Sequence, residues 1–222
     1  MRMQRQPATG DPQASTSSAR PRRAGASAFA NATADRRSSQ SERRRSAPAI
    51  PAFALFDTAI GQCAIVWSQD RVAGVLLPEA YPNQTRARLL RNFPHAREAS
   101  PPHDVQRALD GIVALLRGDA SDLSFITLDM DGVPAFHRRV YEVARTIPPG
   151  TTISYGEIAS RLGEPHASRA VGQALGRNPF PIIVPCHRVL ASGGRTGGFS
   201  APGGRSTKLR LLAIEGVRLM LE

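Results

Sequence analysis

With 222 residues and 41% hydrophobic side chains, the chain can bury a sizeable core, in one large domain or two small ones. Its two cysteines, Cys63 and Cys186, exclude a disulfide framework and a cysteine-rich zinc site, so a reducing, cytoplasmic setting and no metal are expected; apolar runs such as Ile182–Val184 are far short of the roughly 20 residues that span a bilayer. The net charge of +11 is uneven, +7 over residues 1–48, −2 over 49–130 and +6 over 131–222, as expected for a nucleic-acid-binding module joined to a neutral scaffold or for a chain in which arginine replaces lysine throughout, Lys208 being the only lysine.

Residues 1–48 are rich in Ser, Ala, Arg, Pro and Gln, with clusters at Arg22-Arg23, Arg36-Arg37 and Arg43-Arg44-Arg45. They lack the spaced apolar residues that offset chain entropy, and a disordered basic arm is expected, serving either as a source of phosphate contacts or as a dispensable leader. No apolar stretch of about 7 to 15 residues precedes Ala28-Phe29-Ala30, so a secretory signal is not expected. From Phe53 the texture changes. Three short apolar segments separated by Ala59-Ile60-Gly61 and Ser68-Gln69-Asp70 read as a meander of antiparallel strands, with Cys63 as a buried structural thiol in the second. Helices are expected over 83–92 and 104–117, the second carrying Val105, Ala108, Leu109, Ile112, Val113 and Leu116 at helical spacing before Gly118. A further strand, "LSFITLDM", would complete an α+β domain over 49–130.

The second expected domain, 131–222, opens with Phe136, Val140, Val143, Ala144 and Ile147 on one helical face, stopped by Pro148-Pro149-Gly150. In "ISYGEIASRL", Ser154 and Glu157 form a capping-box signature, with Ile153 and Ile158 placed as its hydrophobic staple. Gly163 breaks the chain. A second helix follows, with Ala167, Ala170, Val171, Ala174 and Leu175 facing inward and Gly176 as its stop. Two short helices around a glycine-containing turn suggest helix-turn-helix. The second exposes mostly small residues, which let its backbone approach another surface closely, while an arginine standing above them could enter a gap in that surface.

In "NPFPIIVPCHRVL", Ile182–Val184 reads as a buried strand bracketed by prolines, with Cys186 emerging at its end. The thiolate is the nucleophilic form of cysteine and needs a cation or hydrogen bonds around it. His187 is the obvious supplier, acting through a water or a turn at Pro185, because adjacent side chains of an extended segment point opposite ways. A carboxylate is the usual partner that orients such an imidazole. Glu215 is the candidate by motif.

The string "SRAVGQALGRNPFPIIVPCHRVL" resembles the signature of the O6-alkylguanine-DNA alkyltransferases, or methylated-DNA–protein-cysteine methyltransferases; the resemblance is dense from about Phe136 to Val217 and diffuse before it. It implies a small ribonuclease H-like antiparallel-sheet domain followed by a helical, winged-helix-like domain, within a mixed α+β or α/β class. It further implies that Cys186 accepts the alkyl group, activated through water by His187, which Glu215 holds, while Asn178 ties the second helix to the active-site turn. Ser168, Arg169, Ala170 and Gly172 would meet the minor groove of double-stranded DNA, Arg169 filling the place of an everted nucleotide and Tyr155 crowding its phosphate. Tyr155, Val189, Phe199 and Ser200 would line the base pocket. The expected substrates are O6-methylguanine and O4-methylthymine. The expected protein is a monomer without cofactor that reacts once, since S-methylcysteine has no good leaving group. Two departures concern the pocket: Phe199 stands where several relatives carry tyrosine, and the loop is slightly longer around Ala201–Gly204. Two other readings stay open, a non-catalytic damage-binding or regulatory helix-turn-helix protein and a multiple-turnover cysteine hydrolase or acyltransferase using Cys186 and His187.

Overall fold

A computed structural model describes residues 50–217, so the basic arm expected over 1–48 lies outside the described residues. The chain begins with three strands, β1 (Ala52–Thr58), β2 (Gly61–Ser68) and β3 (Arg71–Leu76), joined by two-residue connections at Ala59-Ile60 and Gln69-Asp70. They pair antiparallel, as the punctuation of the sequence suggests. Helix α1 (Pro82–Asn92) leads to a short strand β4 (Arg97–Glu98), which adds parallel to β1 and gives the sheet order β3-β2-β1-β4. Helix α2 (His103–Arg117) follows and ends at Gly118, whose φ of 100° is left-handed.

The period-two alternation of β2 is satisfied on both faces. Cys63, Ile65 and Trp67 join Val105, Ala108, Ile112 and Leu116 of α2 in the main core, while Ala64 and Val66 pack with Phe53, Leu76 and Leu89 of α1 in a smaller cluster. The main core continues past residue 130 to Tyr141, Val184 and Leu211.

Two of the expected strands are absent. The segment "LSFITLDM" is a loop that joins the sheet's ladder only through an isolated bridge from Leu128 to Val72. Asp122 accepts from the Ser124 N–H and hydroxyl, which turns the chain, and Arg145 donates to the carbonyls of Leu123, Ser124 and Ile126, so the backbone groups a neighbouring strand would use are already taken. Ile182–Val184 is likewise a buried turn, bridged between Pro181 and Val184, with Ile182 at φ 75°. Asn178 closes it, donating from Nδ2 to Val184 O and accepting from Phe180 N at 2.9 Å each. A β-branched residue at positive φ is strained by about 1–3 kcal/mol, and these bonds hold it there.

The rest is mainly helical, with one small two-stranded sheet. Helix α3 (Ala135–Arg145) precedes a two-residue strand β5 (Ile153–Ser154), then α4 (Tyr155–Arg161) and α5 (Ser168–Gly176), a helix-turn-helix arrangement. The expected capping box is formed: Ser154 Oγ accepts from Glu157 N at 3.1 Å and Ser154 N donates to Glu157 Oε2 at 2.6 Å. Arg139 pins the turn through Glu164 Oε1 and Leu162 O. After the Cys186 segment, strand β6 (Val189–Leu190) pairs parallel with β5, and α6 (Gly204–Ile214) closes the described chain. No helix among the described residues is long and apolar enough to cross a membrane.

Candidate active site

Cys186 opens a 3₁₀ turn, Cys186–Arg188, instead of ending a strand. This changes the local geometry the sequence suggested, because successive side chains of such a turn fan around one axis rather than alternating. The turn runs directly into β6, whose pairing of Ile153 with Val189 brings the start of α4, and so Tyr155, beside the sulfur. Cys186 and His187 are both buried, at 9% and 1% exposure.

His187 and Glu215 are 28 positions apart, and α6 brings them together: His187 Nε2 lies 2.9 Å from Glu215 Oε1. The carboxylate also accepts from Arg188 Nη2 at 2.8 Å and Nε at 2.9 Å, and Arg188 Nη1 donates to Ile147 O. These partners hold the Glu215 carboxyl down at about 2, against the opposing push of burial. A carboxylate so far below its ordinary range accepts only, so Nε2 of His187 carries the proton and Nδ1 presents a lone pair. Nδ1 is buried and has no hydrogen-bond partner among the described residues. Burial also lowers the His187 pKa, keeping the ring neutral and able to take a proton. Gly150 is required beside this pair: its φ is 77°, its N–H points at Glu215 Oε2, and a Cβ there would lie 3.1 Å from the Glu215 carbonyl.

The sulfur does not rest as the anion that its neighbours suggested. Burial raises the Cys186 pKa, and it outweighs the opposing influences of the Asn178 amide, the Lys208 charge and the backbone N–H groups of Cys186 and His187. The resting group is a thiol, and the neutral imidazole is the base available to it. Cys63, by contrast, is a buried thiol raised to about 12, with Thr58 Oγ1 3.7 Å away, as expected of a structural cysteine.

Lys208 is a residue whose role the sequence leaves blank. It is fully buried, its Nζ donates to Val189 O at 2.6 Å and lies 5.8 Å from the centre of the Tyr155 ring. Burial lowers it to about 8. Arg188 is the other such residue. Adjacency to the Cys-His pair was a signal that could have found it.

Above Cys186 is an open cavity of about 1390 Å³. Tyr155, Ser168, Arg169 and Gly172 line one side, and Phe199 and Ser200 of the glycine-rich loop the other. Ala170 and Val189 are not among the lining residues; Val189 is fully buried and contributes its carbonyl to Lys208 instead. Arg169 is exposed at the rim, and burial raises the Tyr155 pKa, so its hydroxyl stays a donor. Gly197, at φ 64°, passes so close to Tyr155 that a Cβ would lie 3.4 Å from its hydroxyl oxygen. Gly172 of α5 faces the same ring at 3.8 Å on that measure, which seats the second helix directly against it.

A family profile described as the DNA-binding domain of 6-O-methylguanine DNA methyltransferase matches residues 135–217. The methylated-DNA–protein-cysteine methyltransferase of Methanothermobacter thermautotrophicus is 37% identical over 155 residues, 70% of this chain and 80% of that one. Its counterpart from Mycolicibacterium paratuberculosis is 44% identical over 114 residues, 51% of this chain and 67% of that one. Among solved structures, Mycobacterium tuberculosis OGT in complex with DNA aligns with a TM-score of 0.60 at 33% identity, covering 74% of this chain and 92% of that one.

Proposed function

Since the chain belongs to the methylated-DNA–protein-cysteine methyltransferase family, we propose that it is a DNA repair protein that moves a methyl group from O6-methylguanine, and from O4-methylthymine, irreversibly onto Cys186. The observation that carries this reading is the coincidence at Cys186 of an open cavity and a buried His187–Glu215 pair whose Nδ1 has no partner among the described residues.

The thiol proton passes through a water to His187 Nδ1, a route supported by the buried atom's lack of a partner among the described residues. Sulfur, a soft nucleophile, attacks the methyl carbon in line; the S–C bond forms as the C–O6 bond breaks, its electron pair going to guanine. Tyr155, protonated and facing the cavity, donates to the leaving base. Glu215 keeps the imidazole in the tautomer that can accept the proton. The product is a neutral thioether, so each molecule reacts once.

The target must leave the duplex, because the sulfur lies at the floor of a cavity and cannot reach a stacked base. Helix α5 enters the minor groove with Ser168, Ala170 and Gly172 allowing close approach, and Arg169 at the rim fills the vacated stack. Within the described residues, those up to 130 form a ribonuclease H-like domain and those from 131 to 217 a winged-helix-like one, and the protein acts as a cytoplasmic monomer without cofactor.

The test is mass analysis after incubation with duplex DNA containing O6-methylguanine. A gain of one methyl on the Cys186 peptide, absent in Cys186→Ala, is expected at one equivalent per protein. Tight lesion binding with the methyl left on DNA would instead favour a damage binder, and repeated ester or amide turnover a hydrolase. Arg169→Ala should slow reaction in duplex far more than reaction with free O6-benzylguanine; equal losses would remove the stacking role.

A further inference from the structure

Helix α5 supplies one side of the cavity above Cys186, and its own ends do not fix its attitude. No side chain caps its N-terminus, and the connection from α4, residues 162–167, is mostly exposed. Two side chains of α3 hold it instead, one at each end. Tyr141, fully buried, donates its hydroxyl to Ala174 O at 2.9 Å in the last turn of α5, with Phe180 edge-on to its ring. Arg139 acts at the other end, donating Nη1 to Glu164 Oε1 and Nη2 to Leu162 O at 2.8 Å each.

Glu164 is the point where α4 and α5 join. Its N–H bonds to Ala159 O, and that of Gly163, at φ 76°, to Ser160 O, which closes the end of α4. Its carbonyl accepts from the N–H of Ala167, the residue that precedes α5. Leu162 O is among the last carbonyls of α4, which have no partner within the helix and lie at its negative end, where a guanidinium is favoured. Arg139 therefore fastens both the end of α4 and the start of α5 to α3. Arg169 lies five positions before Ala174, about 7.5 Å along the axis, so a tilt of roughly 10° about the Tyr141 tie shifts it by about 1 Å. The sulfur and its base are held from elsewhere, by the β5–β6 pairing, the Asn178 amide and the Arg188–Glu215 pair.

Resting on the function proposed above, we infer that Arg139 and Glu164 form a positioning pair for recognition of double-stranded DNA. They hold the start of α5 in the attitude that meets the duplex, and the transfer step at Cys186 does not depend on them. The carboxylate of Glu164 thus strengthens engagement with a polyanion, although by charge alone it would oppose it.

The experiment uses the full chain, with single-turnover methyl transfer from a duplex containing O6-methylguanine read by mass of the Cys186 peptide over a range of duplex concentrations at fixed ionic strength. Glu164→Ala should raise the half-saturating duplex concentration by about threefold, and Arg139→Ala, which loses both bonds, by at least as much, while the saturated rate stays within about twofold of the unaltered protein. The double variant should be no weaker than Arg139→Ala alone, because each side chain acts through the other. A Glu164→Ala protein that engages the duplex as well as or better than the unaltered one would show that Arg139 is only a cation near the phosphates and would overturn the inference. Losses that add in the double variant, or that fall on the saturated rate instead of the half-saturating concentration, would overturn it as well and leave the repair function standing. Absence of methyl transfer by the unaltered protein would overturn the repair function and this inference together.

Discussion

Replacing Glu215 by Gln keeps the side-chain shape and removes the charge on which two buried groups depend. The carboxylate is 3% exposed and accepts from His187 Nε2 at 2.9 Å and from Arg188 Nη2 at 2.8 Å. Arg188 is itself 5% exposed and permanently charged. The variant strands that cation, which costs about 3–5 kcal/mol by analogy with other broken buried pairs. For a chain of this length that is a fall in Tm of roughly 10 °C.

A second signature separates charge loss from packing damage. The Glu215 carboxyl is depressed from 4.5 to about 2. A depressed folded-state value stabilises the fold fully above the unfolded value, and the stabilisation is lost as pH falls from near 4.5 toward 2. The difference is worth on the order of 3 kcal/mol, of which about 2 kcal/mol should be gone by pH 3. Urea unfolding of both proteins at pH 7 and pH 3 should therefore show a wide stability gap at neutral pH that narrows in acid. A gap under about 1 kcal/mol at pH 7, or one as wide at pH 3, would refute the reasoning.

Asn178→Ala removes both bonds that close the turn around Ile182, and a loss of about 2–3 kcal/mol, measured by urea unfolding, should accompany slower methyl transfer. Gly197→Ala places a methyl group at φ 64° beside the Tyr155 hydroxyl; the expected cost is about 1–2 kcal/mol, with a drop in single-turnover rate larger than the lost stability explains. Burial lowers His187 below its ordinary 6.5, so the ring stays a neutral base as pH falls through that value. The rate of methyl transfer should hold level through pH 6.5 and decline only below it, and a decline centred above 6.5 would count against His187 as the base.

Much of this site is written in short windows. The capping box at Ser154 and Glu157 spans four residues and formed as read, because the groups it joins are already neighbours along the chain. The hairpin connections of the sheet and the helices over 82–92 and 103–117 are local in the same sense. The Cys186 region is different. An uninterrupted apolar run such as Ile182–Val184 has the composition of a buried strand and of a buried turn alike, and the Asn178 amide, bonding from outside the run, decides for the turn. The segment from Leu123 to Met130 failed as a strand for a similar reason: Arg145, about twenty residues away, took its carbonyls.

Residue order alone thus determined which side chains are reactive and where the chain can turn: a lone thiol beside an imidazole, a helix start built to last, an arginine on a small-residue helix. Only tertiary structure decided the protonation state of that thiol, since burial raises the pKa that an adjacent histidine was expected to lower. It also decided that His187, Arg188 and Glu215 are one cluster, because helix α6 folds back across 28 positions to close it. The physical reason is the same in both cases: desolvation and buried ion pairs depend on what surrounds a group in space, and neighbours along the chain supply only part of that surrounding.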